Sequence, residues 1–112
     1  MPNVVYFITS DKIGSQDPEL GARLMNTFFL KLIQANNLPS HILLMERGVQ
    51  LLLPESPSLD AIKALQGRDV EILACKTCLD YYGMREKMGA GKVSNMPDII
   101  EVMQGAGKVI HL

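Results

Sequence analysis

The sequence predicts an α/β fold of three layers (α/β/α), with a mostly parallel sheet of four to five strands between helices. Three observations predict it. Apolar, β-branched runs alternate along the chain with stretches of helical periodicity. The links between runs are too long for hairpins, so neighbouring strands must be joined by crossovers and lie parallel. The first run is continuously apolar rather than alternating, as in a strand covered on both faces. Crossovers of this kind are right-handed, and the general architecture is flavodoxin-like.

Asn3-Val4-Val5-Tyr6-Phe7-Ile8-Thr9-Ser10 is the first buried strand. Ser10 to Gln16 is polar, holds Gly14 and reads as a loop. Asp17-Pro18-Glu19 opens a helix: Asp17 caps, Pro18 suits the first helical position, and Glu19 suits the positive end of the dipole. Leu20, Leu24, Met25, Phe28, Phe29, Leu32 and Ile33 form its apolar stripe, and Asn36-Asn37-Leu38-Pro39 ends it. His41-Ile42-Leu43-Leu44-Met45 is a second strand, after which Glu46-Arg47-Gly48-Val49 turns the chain. Gln50 to Leu53 fits a short strand or a helical turn equally well. Pro54 to Ser58 is loop, with Ser58 placed to cap a helix that carries Leu59, Ile62 and Leu65 and stops at Gly67. Val70-Glu71-Ile72-Leu73-Ala74 is a third strand. A helix starting at Thr77 or Cys78 runs through about Met88, weakened by Gly83, and Gly89-Ala90-Gly91 ends it. Asn95 caps a last helix with Pro97 in its first turn and an inner face of Met96, Ile99, Ile100 and Met103. Gly105 and Gly107 end that helix, and Lys108-Val109-Ile110-His111 is the last strand.

A length of 112 residues suits one domain. Hydrophobic residues at 47% and charged residues at 21% fit a packed core and argue against disorder. The formal net charge is -1, with 11 basic against 12 acidic residues, so no basic surplus exists to hold a phosphate backbone and nucleic acid is not an expected partner. No apolar run approaches the roughly 20 residues of a helical membrane span. Met1-Pro2-Asn3 has no basic region or cleavage pattern of a secretory leader. The two cysteines stand three apart and cannot staple a secreted miniprotein, which points to the cytoplasm, where thiols stay reduced. No cofactor and no metal is expected.

Ligands in such sheets bind beyond the carboxyl ends of the strands. Three loops gather at that edge: Ser10 to Gln16, Glu46 to Val49, and Cys75 to Cys78. Cys75-Lys76-Thr77-Cys78 is the most informative, because it joins a buried strand to a helix start. Backbone N–H groups there favour an anion, Lys76 adds a positive charge, and a thiolate is the form that attacks a disulfide or persulfide sulfur. Other readings stay open. Free cysteines are often buried and inert. A zinc site needs four ligands and a CxxC supplies two. A thioredoxin-type disulfide pair has the same local form. Ser10, Lys12 and Gly14 in the first loop are candidates to cradle a phosphate, although the loop is neither a P-loop nor GxGxxG. His41 and His111 read as strand-end residues without a role. Tyr81 and Tyr82 read as core or rim residues, with a core or subunit-interface role favoured, and the seven methionines read as core filling.

The stretch Ala74-Cys75-Lys76-Thr77-Cys78-Leu79-Asp80-Tyr81-Tyr82-Gly83 resembles the C-G-T-C-L-D-x-x-G signature of DsrE/DsrF-like proteins, and most of all that of the C-terminal domain of the YedF type. Ser10-Asp11-Lys12-Ile13-Gly14 with Glu19-Leu20-Gly21, Arg47-Gly48-Val49-Gln50-Leu51, and Val93-Ser94-Asn95-Met96 resemble further motifs of that family in the same order. The resemblance spans essentially the whole chain. It implies a DsrE-like fold, assembly into homo-oligomers, and sulfur handling linked to selenium metabolism. Members of the wider family carry a persulfide on a cysteine eight residues before a motif glycine. Cys75 stands in that relation to Gly83, which implies the carrier role for Cys75 and that of a second, resolving thiol for Cys78. Gly48, Lys76, Thr77, Asp80 and Asn95 fall on motif positions and take supporting binding roles. Lys76 stands where the signature has glycine. YedF-type proteins also carry a preceding SirA/TusA-like domain, so a separate TusA/SirA-like sulfur carrier is the implied partner. The alternative is a non-catalytic binding or assembly subunit that uses the strand-end cleft for a small ligand or a partner.

Overall fold

The computed structural model describes residues 3–112; Met1 and Pro2, on which part of the leader reading falls, lie outside the described residues. The elements run β1 (Val4–Ile8), α1 (Pro18–Leu32), β2 (His41–Leu44), a 3₁₀ helix (Glu46–Leu52), α2 (Leu59–Gln66), β3 (Glu71–Cys75), α3 (Lys76–Tyr81), β4 (Lys92–Ser94), α4 (Met96–Gly105) and β5 (Lys108–His111). The sheet has five strands in the order β4-β3-β2-β1-β5, and every pairing is parallel. The expected α/β architecture is the observed one.

Side chains alternate across this sheet, so each strand feeds two cores. Ile8, Ile42, Leu44, Ile72 and Ala74 face α1, α2, α3 and the 3₁₀ helix, where Met25, Phe29, Ile62, Leu65, Leu52 and Leu79 are buried with them. Val5, Leu43 and Cys75 face the other way, against Ile99 of α4. One face of the sheet therefore carries most of the helical cover, and α4 covers the other.

Capping follows the sequence at two helices and departs from it at a third. Asp17 Oδ1 accepts the Leu20 N–H at 3.1 Å and Asn95 Oδ1 accepts the Asp98 N–H at 2.9 Å. Ser58 makes no such bond. Its backbone is helical (φ −93°, ψ −4°) rather than extended, and its own N–H donates to Ser56 Oγ at 3.2 Å.

Several boundaries need correction. Helix α3 begins at Lys76, directly after Cys75, and ends at Tyr81 rather than near Met88. Gly83 does more than weaken it. With φ +63° it is the left-handed residue that closes the helix: its N–H donates to Asp80 O at 3.1 Å, and the Met84 N–H reaches Leu79 O at 2.8 Å. Residues 50–52, open between strand and helical turn, belong to the 3₁₀ helix. The strand β4 was not expected, because three residues carry no periodicity to read. The inner face of α4 is Ile99 with Val102 and Met103, whereas Met96 and Ile100 are exposed. On α1, Leu20 and Leu24 are also exposed. Gly21 takes the close-packed position there, since a Cβ on it would stand 2.8 Å from Ile13 O. Among the described residues, no helix is long and apolar enough to cross a membrane.

Candidate functional site

The carboxyl ends of β1, β2 and β3 bring the three expected loops to one edge. Cys75 is the last residue of β3 and the residue that caps α3. It pairs in register with Ser94 and is only 2% exposed, among Val5, Leu43 and Ile99. Cys78 lies in the first turn of α3 and is half-buried, packed against the same cluster. Unlike Cys75 it lines an open cleft of about 400 Å³, together with Glu46, Thr77, Tyr81 and Tyr82. Both cysteines are free thiols.

Glu46 ties this cleft together. Its N–H donates to Cys78 Sγ at 3.1 Å. The N–H reaches the sulfur from a residue with φ +52°, a left-handed conformation that a non-glycine residue rarely adopts. The Glu46 carboxylate stays near its own backbone: Oε1 accepts the Arg47 N–H at 3.0 Å and the Tyr82 hydroxyl at 3.4 Å. Burial pushes the Tyr82 hydroxyl above its ordinary range, so at neutral pH it remains a donor.

The turn that holds Glu46 is seated on β1. Met45 N–H donates to Ile8 O at 3.0 Å, and Gly48 N–H closes back on Met45 O at 2.8 Å. Gly48 is required by space, because a Cβ there would stand 2.4 Å from Ile8 O. Arg47 then reaches across to the first loop, with Nε 3.4 Å from Asp11 Oδ1. The hydrogen bond to Asp11 raises the Arg47 pKa further.

The remaining sequence candidates lie as follows. In the first loop, Ser10 Oγ accepts the Lys12 N–H at 3.0 Å, Lys12 Nζ lies 3.4 Å from Asp11, and Gly14 has φ +84°. The cations of the first two loops, Lys12 and Arg47, thus converge on Asp11. Lys76 and Thr77 are exposed, and only Thr77 lines the cleft. Asp80 is exposed, does not line the cleft, and holds Arg85 through two bonds of 2.8 and 2.7 Å, which keep its carboxyl below the usual range. Asn95 caps α4 one residue beyond Ser94. Tyr81 is 83% exposed at the cleft rim and not in the core. His41 meets Glu71 at 2.9 Å at the amino edge, and His111 meets Thr9 at 3.1 Å at the carboxyl edge. Glu46 and Tyr82 are site residues that the sequence did not single out. The one available signal was the placement of the 46–49 turn at the strand ends.

The sequence model of one family, described as DsrE/DsrF-like, matches residues 3–112. The chain belongs to the DsrE/DsrF-like family. No curated protein sequence matches it at a significant level. Solved structures share its fold. The ychN protein of E. coli is 18% identical over all of both chains, with a TM-score of 0.69. A protein of unknown function from Methanobacterium thermoautotrophicum is 22% identical over all of both chains, also with a TM-score of 0.69. One from Bacteroides thetaiotaomicron is 13% identical over 98% of this chain and 95% of the other, with a TM-score of 0.67.

In this DsrE/DsrF-like chain, the accessible cysteine is a weaker acid than an ordinary thiol. Burial pushes the Cys78 thiol above its ordinary range, the Glu46 N–H opposes that, and the neighbouring Cys75 thiol adds to it. A raised thiol pKa means less thiolate at any given pH below it. The alkylation rate of Cys78 is therefore expected to keep rising with pH past about 8.5, the ordinary cysteine value. Peptide mapping after timed iodoacetamide labelling checks this, and a rate that levels off below that pH contradicts it.

Proposed function

We propose that this chain is a sulfur-relay protein that carries sulfur as a persulfide on Cys75, with Cys78 as the second thiol. The observation that carries the reading is the pairing of two free thiols at the carboxyl edge of the sheet, one opening on a cleft and the other shielded in apolar packing. A persulfide is easily reduced, so a shielded cysteine suits its storage. The signature around Cys75 to Gly83 supports the YedF-type reading and, with it, a link to selenium metabolism. The same reading carries a homo-oligomer, a TusA/SirA-like sulfur carrier as partner and a reducing, cytoplasmic setting.

The test is to treat the reduced protein with a persulfide donor and weigh it intact. The expected result is a gain of one sulfur atom per chain, located on Cys75 by fragmentation, and no gain in the Cys75→Ser/Cys78→Ser double variant. The reading is wrong if the wild type gains no sulfur or if the double variant gains as much. The burial of Cys75 favours a second reading, in which the fold serves as a non-catalytic binding or assembly subunit. In that case neither thiol takes up sulfur.

A further inference from the structure

We propose that sulfur arrives on Cys78 and is passed inward to Cys75, so that the outer thiol receives and the inner thiol stores. This rests on the sulfur-relay reading and adds a direction to it. Cys75 is 2% exposed and closed in by Val5, Leu43 and Ile99, so a persulfide borne by another molecule has no approach to it. Cys78 has one, through the cleft walled by Thr77, Tyr81 and Tyr82.

The two thiols stand three residues apart at the start of one helix. Cys75 caps α3 and Cys78 is the third residue of its first turn, positions whose side chains face each other as in a capping box. Both pack in the same apolar cluster. The N–H of Glu46, 3.1 Å from Cys78 Sγ, stabilises negative charge on that sulfur. That charge develops on Cys78 when it acts as the leaving group.

The chemistry balances in two displacements. First, the Cys78 thiolate attacks the outer sulfur of the donor persulfide. A Cys78 Sγ–S bond forms, the donor S–S bond breaks, and the donor leaves as a thiolate that takes up the proton Cys78 released. Second, the Cys75 thiolate attacks that same outer sulfur. A Cys75 Sγ–S bond forms and the Cys78 Sγ–S bond breaks. Cys78 departs as a thiolate held by the Glu46 N–H and is reprotonated by the proton Cys75 gave up. Each step exchanges one S–S bond for another, so no external oxidant or reductant is consumed.

The test uses glutathione persulfide as donor on the wild type, Cys78→Ser, Cys78→Ala and Cys75→Ser, each confirmed as folded by thermal melting. Both Cys78 variants are expected to load at least about tenfold more slowly than wild type, because the remaining thiol is shielded. Cys75→Ser should load at close to the wild-type initial rate but hold its sulfur on Cys78, where cyanide strips it at least about tenfold faster than from wild type. If the Cys78 variants load at the wild-type rate, this inference is overturned and the relay reading stands. If the wild type takes up no sulfur, the relay reading falls and this inference with it. Iodoacetamide labelling of the native wild type reads the geometry without any sulfur transfer. Labelling of Cys75 as fast as Cys78 also overturns the inference.

Discussion

Replacing Gly48 by alanine is expected to destabilise the protein by about 2–3 kcal/mol, the cost of forcing an extra carbon into a site without room. The added Cβ would meet a backbone oxygen, Ile8 O, at 2.4 Å, and no rotamer change relieves a contact with backbone. The oxygen cannot retreat freely, because it accepts the Met45 N–H and belongs to a fully buried residue in the core. For a chain of this length the thermal midpoint should fall by roughly 8–12 °C. The damage would also reach the site, since the same turn aims the Glu46 N–H at Cys78. A melting curve within about 2 °C of wild type would show that the turn shifts cheaply.

Leu79→Ala is expected to have the second large effect. Helix α3 is six residues long, and Leu79 is its one buried residue. Leu79 packs in the main core with Met84, and its carbonyl accepts the Met84 N–H that closes the helix. Truncation removes a fully buried side chain, at a cost of about 2–5 kcal/mol that depends on how far the site can collapse. A helix this short has little stability of its own, so it should loosen before the rest of the fold. Loss of α3 uncovers Cys75, which it follows directly. The expected readouts are a lower midpoint and a faster labelling of Cys75 in the native state. Unchanged Cys75 labelling would mean that α4 and the sheet shield it without help from α3.

The larger elements were legible in the sequence, and the smaller ones were not, for physical reasons. Val4 to Ile8 and the Asp17-Pro18 start of α1 each combine several independent local signals. Lys92 to Ser94 and the 3₁₀ helix are too short for a period, and pairing with β3 or seating on β1 decides them. Gly83 was visible as a helix weakener, but its positive φ is a property of how the helix ends on Leu79 and Met84. At the site, the CxxC and its strand-end position could be read directly. Which thiol faces solvent could not, because that depends on the pleat of β3, which turns Cys75 toward α4 while Ala74 faces α1 and α2. Glu46 escaped because it acts through its backbone N–H, and a sequence does not display where an N–H points.

The strand order has a consequence for how the fold is reached. Four strands pair with their neighbours in the chain, β1 with β2, β2 with β3 and β3 with β4. Only β5 returns across the whole sequence, to lie beside β1, where the Gly107 N–H meets Asn3 O at 3.0 Å. Closing so long a loop carries the largest entropy cost of any contact in the sheet, so this pairing forms late. Until it does, one edge of Val4–Ile8 presents unpaired N–H and C=O groups on an apolar, β-prone segment, which is a template for self-association. The last strand thus acts as a seal, and the interval before it docks is when the chain is most exposed to aggregation.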